Sequence, residues 1–223
     1  MSKPVQCARC EAIMCATEQY DVGSPNVRCP TRVKRDVIEQ AVAEYQKPDV
    51  HEFARQASIQ ECECYMKLPE GVTPRNPRVE EVIQFSKKMG YTKLGVAFCT
   101  GLKREVETLN TILENRGFTV SSVCCKLGGT PKEEIGIKEE EKIIGPGLWE
   151  TMCSPIAQAF VLNDEGVDFN ILMGLCVGHD SLFFRYAKAP TTVLVVKDRV
   201  LGHNPAAGIY LSGSYYGKLL RAE

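Results

Sequence analysis

The chain has 223 residues, a formal net charge of −1 and 44% hydrophobic residues, which is enough apolar content for a core that needs no disulfide framework. The balanced charge, without a dense basic stripe, argues against nucleic acid as a partner. No apolar run approaches the ~20 residues of a membrane span, and the start MSKPVQCARC lacks the apolar stretch of a signal peptide. We therefore expect a cytoplasmic protein that binds neither nucleic acid nor a membrane.

The eleven cysteines are the unusual feature of the composition. Disulfides are rare in a reducing compartment, and the count is odd, so the cysteines point to metal binding or redox chemistry. The alternative for any single one of them is an inert thiol that fills a small space in the core.

Four of these cysteines lie in the first thirty residues, in a segment too short and polar to form its own core. They follow the pattern C-x2-C-x4-C-x13-C-P: Cys7, Cys10, Cys15 and Cys29. A two-residue gap lets two thiolates reach one metal, and two further thiolates complete a tetrahedral or cubane site. The spacing predicts a structural metal site and leaves zinc and an iron–sulfur cluster open.

Two helices follow, one predicted over Thr31–Gln46 and one from Asp49 to about Tyr65. Cys62 and Cys64 lie two apart on the second helix and so face different sides, which makes them a poor ligand pair. The proline-rich stretch Leu68–Pro77 is predicted to be a loop. We place a domain boundary at its end, with residues 1–77 as a cysteine-rich metal-binding segment plus helices and residues 78–223 as an α/β domain.

From Arg78 onward helical and strand patterns alternate. The predicted order is helix Val79–Met89, strand Lys93–Phe98, helix Leu102–Arg116, strand Phe118–Val123, a helix capped by Thr151, strand Phe169–Met173, a helix capped by Asp180 or Ser181, and strand Thr191–Val196. Such alternation predicts an α/β fold, a three-layer Rossmann-like parallel sheet. The long insertion Lys126–Gly147 is expected to be a functional cover.

Cysteines collect where the predicted strands end. Four of them come from separate segments: Cys99, Cys125, Cys153 and Cys176. The carboxyl ends of parallel strands share one edge of the sheet, where ligands bind, so these thiols are predicted to surround one metal or cluster. Side chains alternate along a strand, so only one of Cys124 and Cys125 can face the site. Cys125 is the choice because it lies further past the strand.

Polar residues at the same edge are the catalytic candidates. They are His179, Lys197, Asp198 and His203, with Arg199 completing a charged run. A hydrophobic strand that leads directly into Lys197 suits substrate binding or proton transfer. The alternatives are ordinary hydrogen-bonded histidines and a solvated charge run.

Four long stretches of the sequence resemble a known family. They are RVEEVIQFSKKMGYTKLGVAFCTGL, MCSPIAQA, LNDEGVDFNILMGLCVGHDSLF and APTTVLVVKDRVLGHNP. The chain is similar to an uncharacterised cysteine-rich, metal-binding family of bacteria and archaea, a domain of unknown function, over nearly its whole length. The resemblance implies metal binding, usually by zinc, at Cys7, Cys10, Cys15, Cys29, Cys99, Cys125, Cys153 and Cys176. Cys62, Cys64 and Cys124 fall outside the family pattern.

Three functions fit these observations. The first is an iron–sulfur redox protein or oxidoreductase with 4Fe-4S clusters, acting on a small-molecule substrate or an electron-transfer protein, because soft thiolates select such clusters. The second is a metal sensor or carrier without turnover. The third is a zinc-stabilised thiol enzyme that uses Cys176 near His179.

Overall fold

The computed structural model describes residues 4–222. They divide into two compact units, the first ending at Glu63 and the second beginning at Cys64. The junction of the units therefore lies fourteen residues before the boundary expected from the sequence at 77/78, because a small hairpin belongs with the second unit.

The first unit is helical. It contains 3-10 turns over Cys7–Arg9 and Met14–Ala16 and the helices α1 (Pro30–Val33), α2 (Arg35–Glu44) and α3 (Pro48–Glu63). The single helix predicted over Thr31–Gln46 is broken at Lys34, whose φ of −136° is not helical. Arginines on either side of the break, Arg32 and Arg35, donate to the carbonyls of Ser24 and Asp21 in the preceding loop, so each piece follows its own anchor.

The hairpin that opens the second unit corrects the prediction of a loop over Leu68–Pro77. Strands β1 (Tyr65–Leu68) and β2 (Gly71–Pro74) pair antiparallel. Proline is tolerated in a turn and at the end of an edge strand, so Pro69 and Pro74 do not prevent the pairing. The turn is closed by Gly71, whose φ of +140° suits only glycine.

A four-stranded parallel sheet forms the centre of the second unit, in the order β4-β3-β5-β6. Its elements in chain order are α4 (Arg78–Lys88), β3 (Lys93–Phe98), α5 (Lys103–Asn115), β4 (Thr119–Cys124), α6 (Pro155–Asp164), β5 (Phe169–Met173), α7 (His179–Tyr186), β6 (Thr191–Val195) and α8 (Ala206–Tyr210). The prediction of an α/β fold with a parallel sheet is confirmed.

Helices flank this sheet because the two faces of its inner strands are both apolar. On one face Ala97 and Leu172 pack with Leu162 of α6 and Phe183 of α7. On the other, the ring of Phe169 lies 5.7 Å from that of Phe85 in α4. The register Ala97↔Leu172 sets both small and large side chains of neighbouring strands on the same face.

The strand order creates a crevice at the carboxyl edge of the sheet. The chain passes from β3 outward to β4, then returns across the sheet to β5 and continues to β6. The connections that leave the neighbouring strands β3 and β5 therefore lead in opposite directions, which is the arrangement in which open parallel sheets bind ligands.

The helix before β5 starts later than the sequence predicts. The expected cap, Thr151, instead pairs with Pro131 in an isolated bridge, and α6 begins at Pro155 after Ser154. Proline at the first helical position is preorganised for a helix and disfavours helical geometry in the residue before it, so the start moves to Pro155.

The insertion between β4 and α6 is ordered by buried charges. Lys142, whose side chain is 2% exposed, pairs with Glu133 and Glu139, and Lys132 pairs with Glu150 at 2.6 Å. Its predicted role as a cover stays a prediction. No helix within residues 4–222 has the length and apolarity needed to cross a membrane.

Candidate cysteine site

Backbone hydrogen bonds join the loops that carry the crevice thiols. Cys99 directly follows β3 and donates its N–H to the carbonyl of Met173 in β5 at 3.1 Å. Cys125 directly follows β4 and donates to the carbonyl of Phe98 at 2.8 Å, while its own carbonyl accepts the N–H of Ser154 at 2.8 Å. The ends of three strands and the start of α6 are therefore fastened together.

Three of the thiols form a hydrogen-bonded row, with Cys125 between Cys99 and Cys153. Cys125 is buried in the apolar cluster beneath α6, and the other two are partly buried against it. Cys176, in the loop after β5, is close enough for its charge to act on Cys153. The tertiary structure therefore brings together the four cysteines that the strand ends predict.

Negative charge collects at one end of this row. The bond to Cys125 raises the pKa of Cys99 to about 12, and the pKa of Cys125 is raised by its bond to Cys153. Hydrogen bonding from Cys125, aided by the nearby Lys126 ammonium, lowers the pKa of Cys153 to about 6. Cys153 is therefore a thiolate at neutral pH, stabilised by a donor thiol and a cation.

Three cationic side chains surround the thiols. The Arg199 guanidinium donates to Cys176 Sγ at 2.9 Å. The Lys126 ammonium donates to the carbonyl of Thr151. Lys197 lies over the loop after β3, with its Nζ 3.1 Å from the point where a Cβ on Gly101 would sit, and Cys99 Sγ is 3.9 Å from the same point.

The two histidine candidates have different surroundings. His179 begins α7 and donates its backbone N–H to the Cys176 carbonyl at 2.9 Å. Its Nδ1 is buried without a hydrogen-bond partner among the described residues, and burial together with Lys126 lowers its pKa. A neutral imidazole beside the thiols can accept or relay a proton.

Asp198 and His203 close a turn after β6. The backbone N–H of Asp198 donates to His203 Nδ1 at 3.1 Å, and Asp198 Oδ1 accepts the N–H groups of Val200 and Leu201. These bonds shape the loop that presents Lys197 and Arg199. Catalytic roles for the two residues stay predictions.

Two residues that help to form the site were missed in the sequence. Lys126 follows Cys125 directly, a signal that was visible but was assigned to the insertion. Gln158 of α6 is fully buried and donates to the carbonyls of Val123 and Phe98 at 2.7 and 3.2 Å. It holds the ends of β3 and β4 beneath the thiols, and only the packing of α6 on the sheet identifies it.

The amino-terminal cysteines are only partly brought together. Cys10 and Cys29 lie around the buried Ser24, whose hydrogen bonds are the main reason that both pKa values are lowered. Cys7 and Cys15 are exposed, in the two 3-10 turns. Their common metal site stays a prediction.

The three cysteines expected to be inert lie elsewhere. Cys62 is exposed in α3, and Cys64 is buried just after that helix ends. Cys124 is the last residue of the edge strand β4 and is partly exposed. The expectation that Cys124 points into the core is wrong, because it is Cys125 that enters the cluster under α6.

Donor chemistry at the crevice suits a soft metal, but the side chains are not arranged around one point. Within residues 4–222, no three His, Cys, Asp or Glu side chains converge closely enough to hold a single metal ion. The crevice thiols instead lie in a row. A cluster of several metal atoms spreads its thiolate ligands over its corners, so the donor set and its extended spacing fit such a group better than one zinc ion.

Comparison with known proteins gives two matches. Residues 29–194 match the model of a family described as "Protein of unknown function (DUF1847)". The chain is also 40% identical over 219 residues to the "Uncharacterized protein MJ0455" of Methanocaldococcus jannaschii, covering 98% of this chain and 100% of that one.

Proposed function

This chain belongs to the DUF1847 family, and we propose that it is an iron–sulfur redox protein with its reactive centre in the crevice. Cys99, Cys125, Cys153 and Cys176 are the proposed ligands of a 4Fe-4S cluster. The proposal includes a three-layer Rossmann-like architecture for residues 78–223 and a structural metal at Cys7, Cys10, Cys15 and Cys29. The partner is a small-molecule substrate or an electron-transfer protein of a reducing cytoplasm.

One observation supports the proposal most strongly. Four soft donors from four separate segments meet at the crevice between β3 and β5, and three cations face them. Thiols that only fill space need neither a shared edge nor cationic neighbours. Thiolate ligands carry negative charge, and hydrogen bonds or cations near the sulfur tune such a centre.

The protein's own groups have defined tasks in this scheme. A bound cluster would supply one-electron transfer. Arg199, bonded to Cys176 Sγ, offsets the ligand charge and holds the loop after β5. His179, neutral and lacking a partner at Nδ1 among the described residues, can take a proton at that atom. The apolar cluster around Cys125 excludes water from one side.

Metal analysis of protein purified without air tests the proposal. We expect brown protein with about eight iron atoms and about eight sulfide ions per chain when both cysteine sets carry a 4Fe-4S cluster. Cys99→Ser should remove about half of the iron, and the matched control Cys124→Ser, one residue from Cys125 but outside the thiol row, should retain it. Colourless protein without iron or sulfide would refute the proposal.

A second candidate is a thiol enzyme, and it is favoured by the low pKa of Cys153. A thiolate at neutral pH, held beside Lys126, is an activated nucleophile. This differs from the pair Cys176 and His179 expected from the sequence, because Cys176 is bonded to Arg199 instead. The discriminating result is activity of iron-free protein that is abolished by Cys153→Ser and retained in Cys124→Ser.

A further inference from the structure

The cations beside the crevice are not neutralised by carboxylates. Within residues 4–222, Lys126, Lys197 and Arg199 form no ion pair. The neighbouring carboxylates are occupied by backbone groups. Asp180 accepts from the N–H groups of Gly178 and Ser181, and Asp198 accepts from those of Val200 and Leu201.

Lys197 is the most informative of the three. It is partly buried, and unlike Lys126 and Arg199 it makes no hydrogen bond among the described residues. Desolvating an ammonium without a partner costs free energy, so its position calls for an anion. Of the crevice thiols, Cys99 has Lys197 as its neighbouring cation, but this thiol donates its hydrogen bond to Cys125.

Space for an anion exists between the lysine and the thiol. Gly101 has no side chain, and the point where its Cβ would lie is 3.1 Å from Lys197 Nζ and 3.9 Å from Cys99 Sγ. Gly101 itself is exposed. A small group that enters here contacts the ammonium and reaches the thiol row at the same time.

We propose that Lys197 and Arg199 form an oxyanion subsite, so that the substrates of the crevice are small carboxylates or phosphates. The subsite rests on the proposed function in one respect, that chemistry takes place at the crevice thiols. It deepens that function by assigning the class of substrate. Lys197 binds the anionic group beside Cys99, and Arg199 reaches it from the Cys176 side with the donors that Cys176 leaves unused.

Two alkylating reagents of nearly equal size test the subsite in the full chain. Iodoacetate carries a carboxylate and iodoacetamide is neutral, and both modify only the thiolate. The ratio of their rates at one cysteine therefore cancels that thiol's pKa and reports the local attraction for a carboxylate. The ratio is measured at Cys99 and Cys176 by peptide mass spectrometry, on reduced protein freed of metal.

We expect Lys197→Gln and Arg199→Gln each to lower the iodoacetate-to-iodoacetamide ratio roughly fivefold, the effect of one unit charge ~4 Å away in water. Lys197→Arg should restore most of the ratio. Lys188→Gln is the matched control, because this exposed lysine precedes β6 at the other end of the strand, and it should leave the ratio unchanged.

Competition identifies the natural anion. Inorganic phosphate or acetate at millimolar concentration should slow iodoacetate at Cys99, and the more effective of the two names the group. A ratio that is equal in wild type, Lys197→Gln and Arg199→Gln, or alkylation that neither anion slows, would overturn the subsite.

Iron content, measured on the same preparations before the metal is removed, separates this result from the proposed function. A charge-dependent ratio in protein that never held iron supports the subsite and refutes the cluster. Iron-loaded protein with a charge-independent ratio does the opposite.

Discussion

At the scale of single residues, the crevice shows how neighbours change the chemistry of identical side chains. Cys99 and Cys153 are both partly buried thiols in the same row. Cys99 donates to Cys125 and has its pKa raised to about 12, whereas Cys153 accepts from Cys125 and has its pKa lowered to about 6. Hydrogen bonding to the charged form favours that form, and this direction decides which thiol ionises.

The first prediction concerns the pH dependence of Cys153. Its alkylation by iodoacetamide should rise through an inflection near pH 6, where the folded pKa lies. Lys126→Met should move the inflection to higher pH, because the ammonium stabilises the thiolate. Peptide mass spectrometry of metal-free protein measures the rates, and Lys188→Met, remote from the crevice, serves as control. An inflection near the ordinary thiol pKa of 9.0 would contradict the hydrogen-bonded row.

The same shift links stability to pH. Between about pH 6 and pH 9 the unfolded chain binds more protons at Cys153 than the folded protein does, since the folded pKa is the lower one. Its contribution is therefore fully present above about pH 9 and is lost as pH falls through about 6. Cys99, with the raised pKa, contributes in the opposite sense, present below about pH 9 and lost as pH rises toward 12. Denaturant unfolding of metal-free wild type and Cys153→Ser at pH 5 and pH 8 should show a difference that grows with pH.

At the scale of elements, the strand ends are positioned by close packing as well as by hydrogen bonds. Gly174 follows β5 with φ of +72°, and a Cβ there would lie 2.2 Å from Leu102 Cδ1. Leu102 is buried at the start of α5. The loop after β5 therefore lies directly against the loop after β3, which is what brings Cys176 near the other thiols.

Gly174→Ala should destabilise the protein by about 3 kcal/mol, through the clash with Leu102 added to the strain of a left-handed conformation. The matched control is Gly117→Ala, with φ of +92° but nothing within 4 Å of its Cβ, which should cost only about 1 kcal/mol. Urea unfolding measures both. Equal losses would show that Leu102 moves aside and that the loops are not tightly packed.

Gln158 provides a second test of the same packing. Gln158→Leu keeps the size of the side chain but removes the donor to the Val123 and Phe98 carbonyls, so it should cost about 2 kcal/mol. It should also speed the alkylation of the buried Cys125. The control Gln56→Leu removes an exposed bond within α3 and should change neither measurement.

At the scale of the whole molecule, the two units differ in what orders them. The second unit has a parallel sheet with apolar clusters, whereas the amino-terminal segment has few buried residues besides Gly23, Ser24 and Cys29. Such a segment needs another source of order, and a structural metal supplies up to ~10 kcal/mol.

Cys10→Ser should therefore expose the first unit to proteolysis and leave the second intact. Limited trypsin digestion followed by mass spectrometry should show faster cleavage before Glu63 and a stable fragment from about Cys64, the junction of the two units. Cys62→Ser, an exposed thiol of the same unit, should behave as wild type. An amino terminus as protected in Cys10→Ser as in wild type would exclude a metal clamp there.

Much of the second unit could be predicted from the sequence. The buried runs Lys93–Phe98 and Phe169–Met173 are strands with those bounds, because continuous apolar stretches of that length are typical of parallel strands. The placement of Cys99 and Cys176 at one edge followed from the same pattern. Local patterns were less informative where a turn decides the structure, as at Gly71 in the hairpin or Pro155 at the start of α6.

Only the tertiary structure decided which groups meet in the crevice. Sequence periodicity says that Cys125, Lys126 and Cys153 lie near the ends of elements, but the strand order β4-β3-β5-β6 places them around one point. The direction of the thiol hydrogen bonds, the partners of Arg199 and the support from Gln158 all join residues at least 23 positions apart. Local conformation is determined by neighbours in sequence, whereas contacts at such separations depend on how the whole sheet assembles.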